Sequence, residues 1–256
     1  MDQLADWQYF WCLILLVGFL TGVVDGIGGS GGLIITPFLM ASGLPPQLAI
    51  GTSKLGSLSS WVLAAKKFHE NKQIKTSLLP VLIALSVLGA FLGAITAVEM
   101  DPQSLFLSIG FLLIVISPLS LVIRAFGLIQ RQYGRTRRWS GYGLYGLAMI
   151  YAAFFGGGSG VFLILSLVSF LGLTTLQAHA TNMIPIIVMT IIAVIVFGWN
   201  NYIDYKIAAL LFLATGAGAL VGSHLAIKGG SAFVRHIVGV FAFIMGVKFI
   251  WDYWPV

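Results

Sequence analysis

The stretch GVVDGIGGSGGLIITPFLMASG (Gly22–Gly43) sets one aspartate and a cluster of five glycines inside an otherwise apolar run. A variant returns downstream as FFGGGSGVFLILSLVSFLG (Phe154–Gly172). Glycine breaks helices, and a broken helix in lipid leaves peptide groups without partners. Such a motif therefore has to be placed before the fold can be read.

Its surroundings are those of a membrane protein. Of the 256 residues, 59% are hydrophobic and 9% charged, against about 25% charged in soluble domains. Mean hydropathy is +0.99. The runs 74–98 and 104–123 hold no charge beyond Lys75, and each reaches the ~20 residues that span a bilayer as helix. Alternation of the barrel type is missing, so the chain reads as all-α and polytopic. The N-terminal MDQLADWQ carries two acids and no basic residue, the reverse of a cleaved signal peptide. A single cysteine, Cys12, excludes an internal disulfide and offers no metal cluster. Neither metal nor cofactor is expected. The net charge of +6 is explained by topology, so nucleic acid is not an expected partner.

One offset aligns the chain with itself without a gap. It carries Gly28-Gly29-Ser30-Gly31 onto Gly157-Gly158-Ser159-Gly160, and Gly43-Leu44 onto Gly172-Leu173. Ala49 and Thr52 fall on Ala178 and Thr181, Asn71 and Ile74 on Asn200 and Ile203, and Gly89, Ala90 and Gly93 on Gly218, Ala219 and Gly222. The expected organisation is a first repeat (8–125), a basic linker (126–138) and a second repeat (139–254). Each repeat reads as five apolar segments: 8–26, 28–43, 48–65, 75–98 and 103–124, then 141–156, 157–171, 177–198, 205–226 and 233–251.

Charge sets orientation. The loop KKFHENKQIK (66–75), the stretch 124–138 and the loop flanked by Lys228 and Arg235 together hold eleven of the fourteen basic residues, which places these loops in the cytoplasm. Six of the eight acids (Asp2, Asp6, Glu99, Asp101, Asp204 and Asp252) then lie outside. The repeat partner of the lysine-rich loop, GWNNYIDYK, has one lysine and one acid and reads as external. Equivalent loops on opposite faces make the halves inverted, with both termini outside. Inverted repeats with broken segments are a signature of carriers that work by alternating access.

The segments 28–43 and 157–171 are too short to cross ~30 Å of hydrocarbon as helix. They are expected to be paired with their predecessors as bent, discontinuous helices whose Gly-rich tips lie near the midplane. A helix starting at each tip would aim free N–H groups and its positive dipole end at a common site. Gly28, Gly29, Ser30 and Gly31 with Gly157, Gly158, Ser159 and Gly160 thus form a candidate anion site. The competing explanation is close helix packing by small residues, which better suits GAFLG (89–93) and GALVG (218–222).

Other polar residues follow each tip. Thr52, Ser53, Thr181 and Asn182 are candidate donors at equivalent places in the halves. Lys54 lies too far from the segment end to reach water easily, and a charge at mid-depth costs about 2.5–3.5 kcal/mol on insertion scales. Either an anionic substrate or Asp25 would offset that cost. Three roles are open to Asp25: pairing with Lys54, capping the helix start, or carrying a coupling proton. His179 is expected at a membrane boundary, with His69, His224 and His236 at interfaces.

The segment GVVDGIGGSGGLIITPFLMASGLPPQLAIGTSKLGS, with its weaker echo GGGSGVFLILSLVSFLGLTTLQAHATN, resembles the sulfite exporter TauE/SafE family over essentially the whole chain. The resemblance implies a permease of the bacterial inner membrane that moves sulfite, sulfoacetate or related organosulfonates, mostly outward, and that is not an enzyme. The second half departs from the first where Met183 stands for Lys54 and Phe154 for Asp25. The expected function is export of small sulfur-containing anions by alternating access. A passive anion channel, or a permease for another small organic anion, is the alternative. The expected partners are the anion, the lipid bilayer and a second copy of the chain.

Overall fold

The computed structural model describes residues 2–29, 31–105 and 133–253. Ser30, nearly all of the run 103–124 and about half of the linker 126–138 lie outside the described residues. The described residues are helical and contain no strand.

Helix α1 (Asp2–Gly28) ends where Gly29 turns to φ +71°, a left-handed conformation that side chains other than glycine resist. Helix α2 (Gly32–Ala41) follows at once and spans only about 15 Å. Pro46 then opens α3 (Pro46–Glu70) in the first turn, where its missing N–H costs nothing, and Lys67 and His69 sit at the negative end of its dipole. A turn of 3₁₀ helix (Thr76–Leu78) leads into α4 (Leu79–Glu99).

The second half repeats this order. Helix α5 (Arg135–Phe154) breaks into α6 (Ser159–Ser169), with Gly158 at φ +75° immediately before it. Helix α7 (Thr175–Trp199) starts with a capping box between Thr174 and Gln177. Helix α8 (Tyr205–Tyr253) consists of two helical stretches divided by a kink at Gly230, whose φ of +67° is non-helical. The basic loop expected between 226 and 233 is reduced to that kink.

Four stretches are long and apolar enough to cross a membrane: Phe10–Gly28, Thr76–Glu99, Thr175–Trp199 and Tyr205–Gly230. Helices α2 and α6 are apolar but shorter. Large side chains such as Leu88, Leu147, Ile195 and Leu213 point outward and are more than 60% exposed, an apolar surface suited to lipid.

The most extensive helix pairing is α1 with α8, and α4 pairs with α5 in the same manner. Small residues allow both approaches. A Cβ at Gly222 would sit 2.8 Å from the Val23 carbonyl carbon, and one at Gly93 2.8 Å from the Phe154 nitrogen. The sequences GAFLG and GALVG thus serve helix contact, as expected of small residues in a membrane. Two further bonds cross between the halves. The Asp204 N–H donates to Thr52 Oγ1 at 2.9 Å, and the Lys75 N–H donates to Thr181 Oγ1 at 3.0 Å. The repeat offset that maps Thr52 onto Thr181 also maps Lys75 onto Asp204, so each half supplies the hydroxyl that satisfies an amide ahead of the other half's next long helix.

Candidate functional site

The two glycine breaks meet backbone to backbone. A Cβ at Gly32 would lie 3.3 Å from the Gly156 carbonyl carbon and the Gly157 nitrogen, and one at Gly160 would strike the carbonyls of Gly29 and Gly28. Tyr151 ties down the second break by donating its hydroxyl to the Gly157 carbonyl.

A cavity of about 40 Å³ adjoins this junction, room for roughly three waters. Its polar wall consists of Thr36, Ser53, Lys54, Ser57, Ser159 and Thr190, and its apolar wall includes Ile35, Trp61, Phe155, Ile186 and Met189. Gly29, Gly32, Ala152 and Gly156 contribute backbone. Ser57 and Ile186 occupy equivalent repeat positions, as do Trp61 and Thr190, so both halves build the chamber from the same register.

Of the residues expected at a site, Gly29, Ser53, Lys54 and Ser159 line this chamber. Gly28, Gly31, Gly157, Gly158 and Gly160 belong to the breaks beside it, and Ser30 is outside the described residues. Thr52 and Thr181 are not among the lining residues; their hydroxyls hold the amides of Asp204 and Lys75. Asn182 also points elsewhere, its Oδ1 accepting from the buried Tyr145 hydroxyl at 2.6 Å. Thr36, Ser57, Trp61 and Thr190 were missed. The repeat could have found the last three, since positions 57 and 61 and their counterparts lie one and two turns beyond Ser53 and Asn182.

The charges are arranged as follows. Asp25 is wholly buried. Its Oδ1 accepts from the Gly31 N–H at 2.8 Å and its Oδ2 from the Ser60 hydroxyl at 3.2 Å. Of the three roles open to Asp25, capping the start of α2 is the one its hydrogen bonds serve. Consequently one amide at the first tip already has a carboxylate partner. Lys54 donates its ammonium to the Ala152 carbonyl beside Gly156. The two charges sense each other electrostatically, but their hydrogen bonds go to other groups. Ser53 donates to the Ile50 carbonyl at 2.8 Å and accepts from Thr36 at 3.1 Å. The Ser159 hydroxyl bonds to the Gly156 carbonyl at 2.8 Å. Each hydroxyl thus spends its one proton on the backbone of its own break or helix, and donates to an anionic guest only by exchanging that bond for one to the guest.

His179 does not face the protein's surroundings. It is fully buried, with Nε2 3.2 Å from the Gly26 carbonyl and its ring edge-on to Phe68. It comes from the second turn of α7, but the end of α1 lies beside that turn. Among the described residues, no three His, Cys, Asp or Glu side chains are grouped to hold a metal ion.

Spanning-length apolar helices around a small chamber with polar groups in its wall define a polytopic membrane protein. The chain belongs to the sulfite exporter TauE/SafE family, whose sequence profile matches residues 14–249, and is accordingly a membrane transporter. It is similar to a probable membrane transporter protein of Haemophilus influenzae, 26% identical with 94% of each chain covered. A Sinorhizobium protein named probable membrane transporter protein ORF9 is 28% identical, over 93% of this chain and 92% of its own. The Bacillus subtilis probable membrane transporter protein YjnA is 24% identical over 93% and 98%. No solved structure matches the chain.

Proposed function

We propose that this chain exports small sulfur-containing anions, sulfite or short organosulfonates, across the bacterial inner membrane by alternating access. The observation that carries the proposal is the chamber at the junction of the two breaks, with the Lys54 ammonium and five hydroxyl-bearing side chains around a space sized for a small anion. Two inverted halves, 8–125 and 139–254, joined by the linker 126–138, would rock about it, with both termini outside. Supporting that motion are the exchanged pairings of α1 with α8 and of α4 with α5, and the reciprocal threonine bonds.

The electrostatics suffice. Ejecting a monoanion from a cell 100 mV negative inside releases about 2.3 kcal/mol. At about 1.4 kcal/mol per tenfold, this sustains a roughly forty-fold outward gradient without a coupled ion. Met183 and Phe154 replace Lys54 and Asp25 in the second half, so the first half brings the one lining ammonium and the second brings the hydroxyls of Ser159 and Thr190.

Purified protein in vesicles, given labelled sulfite and a panel of sulfonates, tests the proposal. Saturable flux is expected, with the affinity lowered about ten- to a hundred-fold in Lys54→Ala, the ~1.5–3 kcal/mol of a charge-assisted bond, and lowered also in Ser159→Ala. Flux that rises without saturation would make it a channel instead. Unchanged affinity in both variants would remove the anion from this chamber.

A further inference from the structure

Among the described residues, two buried polar side-chain atoms have no hydrogen-bond partner, Thr21 Oγ1 and His179 Nδ1. The histidine's chemistry is the more specific. Its Nε2 faces the Gly26 carbonyl, and a carbonyl can only accept, so Nε2 carries the hydrogen. Nδ1 is then a bare lone pair, a base enclosed in the protein. A Cβ at Gly29 would lie 3.5 Å from His179 Cε1 and 3.6 Å from Nδ1. Gly29 also lines the chamber, so a single glycine separates the free nitrogen from the space that Lys54 faces.

The elements around His179 carry the following titratable groups among the described side chains. Helix α1 brings Asp25, and α3 brings Lys54 with Lys66, Lys67, His69 and Glu70 at its far end. Helix α4 has Glu99, α5 Arg135, Arg137 and Arg138 with Tyr142, Tyr145 and Tyr151, and α8 Tyr205, Lys206, His224 and Lys228. Helix α6 has no ionisable side chain. No charge among them acts on the imidazole; the polar groups that face it are the carbonyls of Asp25 and Gly26, at the negative end of α1.

We propose that His179 is a proton-binding site coupled to the first glycine break. When the break at Gly29 moves aside, Nδ1 takes one proton from water, the neutral ring becomes imidazolium, and no other bond changes. The new charge lies one glycine from the chamber and favours an anion there, so proton and anion cross together and the proton returns to water on the far side; such a cycle moves no net charge and runs on the anion and pH gradients, in place of the membrane potential that serves an uncoupled cycle. The proton site stands on the geometry of the ring, and only its coupling to an anion rests on the carrier proposal.

Two measurements separate these parts. In the first, the variant His69→Gln, His224→Gln, His236→Gln leaves His179 as the sole histidine, and its ring nitrogens are followed by ¹⁵N NMR in vesicles. A bare Nδ1 resonance is expected at about pH 8, converting to imidazolium as the pH is lowered through and then below the range in which exposed imidazole titrates. A ring neutral throughout overturns the proposal. In the second, vesicles holding a pH dye receive methanesulfonate, which stays ionised and carries no proton itself. Wild type should move protons in step with the anion. His179→Gln, which keeps an N–H for the Gly26 carbonyl, should move the anion with at least a tenfold smaller proton signal per anion. Equal proton signals per anion overturn the coupling. If wild type moves no methanesulfonate, the carrier proposal fails for that sulfonate, and the NMR titration alone decides the histidine.

Discussion

Lys54 shows how a charge survives at this depth. Its ammonium rests on the Ala152 carbonyl from the other half of the chain, while Asp25 is occupied with Gly31 and Ser60. Because neither charge depends on direct contact with the other, the lysine keeps donor capacity for a guest. Thr52 and Thr181 teach the opposite lesson. Hydroxyls in an apolar chain invite assignment to a site, yet these two satisfy amides that lipid would leave bare. Thr52→Val should leave the Asp204 N–H unpaired and lower stability by about 1–3 kcal/mol, read as a fall in melting temperature in detergent, with substrate affinity unchanged; Thr181→Val should do the same through Lys75. A loss of affinity without a loss of stability would return both residues to the site. From sequence alone, Lys54, Ser53 and Ser159 were legible because their cost or register demanded a reason. His179 was not, since its position early in α7 suggests a surface, and the end of α1 beside it is a tertiary fact.

The glycine breaks are the elements that organise the site. Gly29 and Gly158 turn left-handed between a long helix and a short one, which places two chain reversals against each other and opens the chamber at their flank. Gly158→Ala should cost about 1–2 kcal/mol from the left-handed backbone alone, and a thermal-shift comparison with Gly143→Ala, where no atom lies within 4 Å of the added carbon, isolates that effect. Equal melting temperatures in the two variants would argue that the break relaxes freely. The breaks were legible because four polar-backbone residues recur at one offset within apolar runs. Element bounds were legible to within a few residues for α3, α4 and α7. The loop expected near residue 230 was not, since a charge cluster marks an interface without saying how few residues turn there.

At the scale of the whole molecule, the exchanged pairings interlock the two halves. Inversion predicts that Asn71 and Asn200, exposed repeat mates, face opposite sides. With Cys12 replaced by serine, Asn71→Cys should react with a membrane-impermeant thiol reagent only from the cytoplasmic side and Asn200→Cys only from the external side. Labelling of both from one side would refute the inversion. The recurring segments were legible in sequence, whereas the helix pairings were not, because self-similarity says which segments correspond and nothing about which ones touch. The two copies differ in polarity, with Phe154 and Met183 where the first half has Asp25 and Lys54. Two identical halves would set a second ammonium against the small void that Lys54 lines, and like charges at such range repel strongly in a medium of low permittivity. Joining unlike copies in one chain removes that conflict, since only one of them has to bring a cation while the other keeps its hydroxyls, Ser159 and Thr190, in the wall.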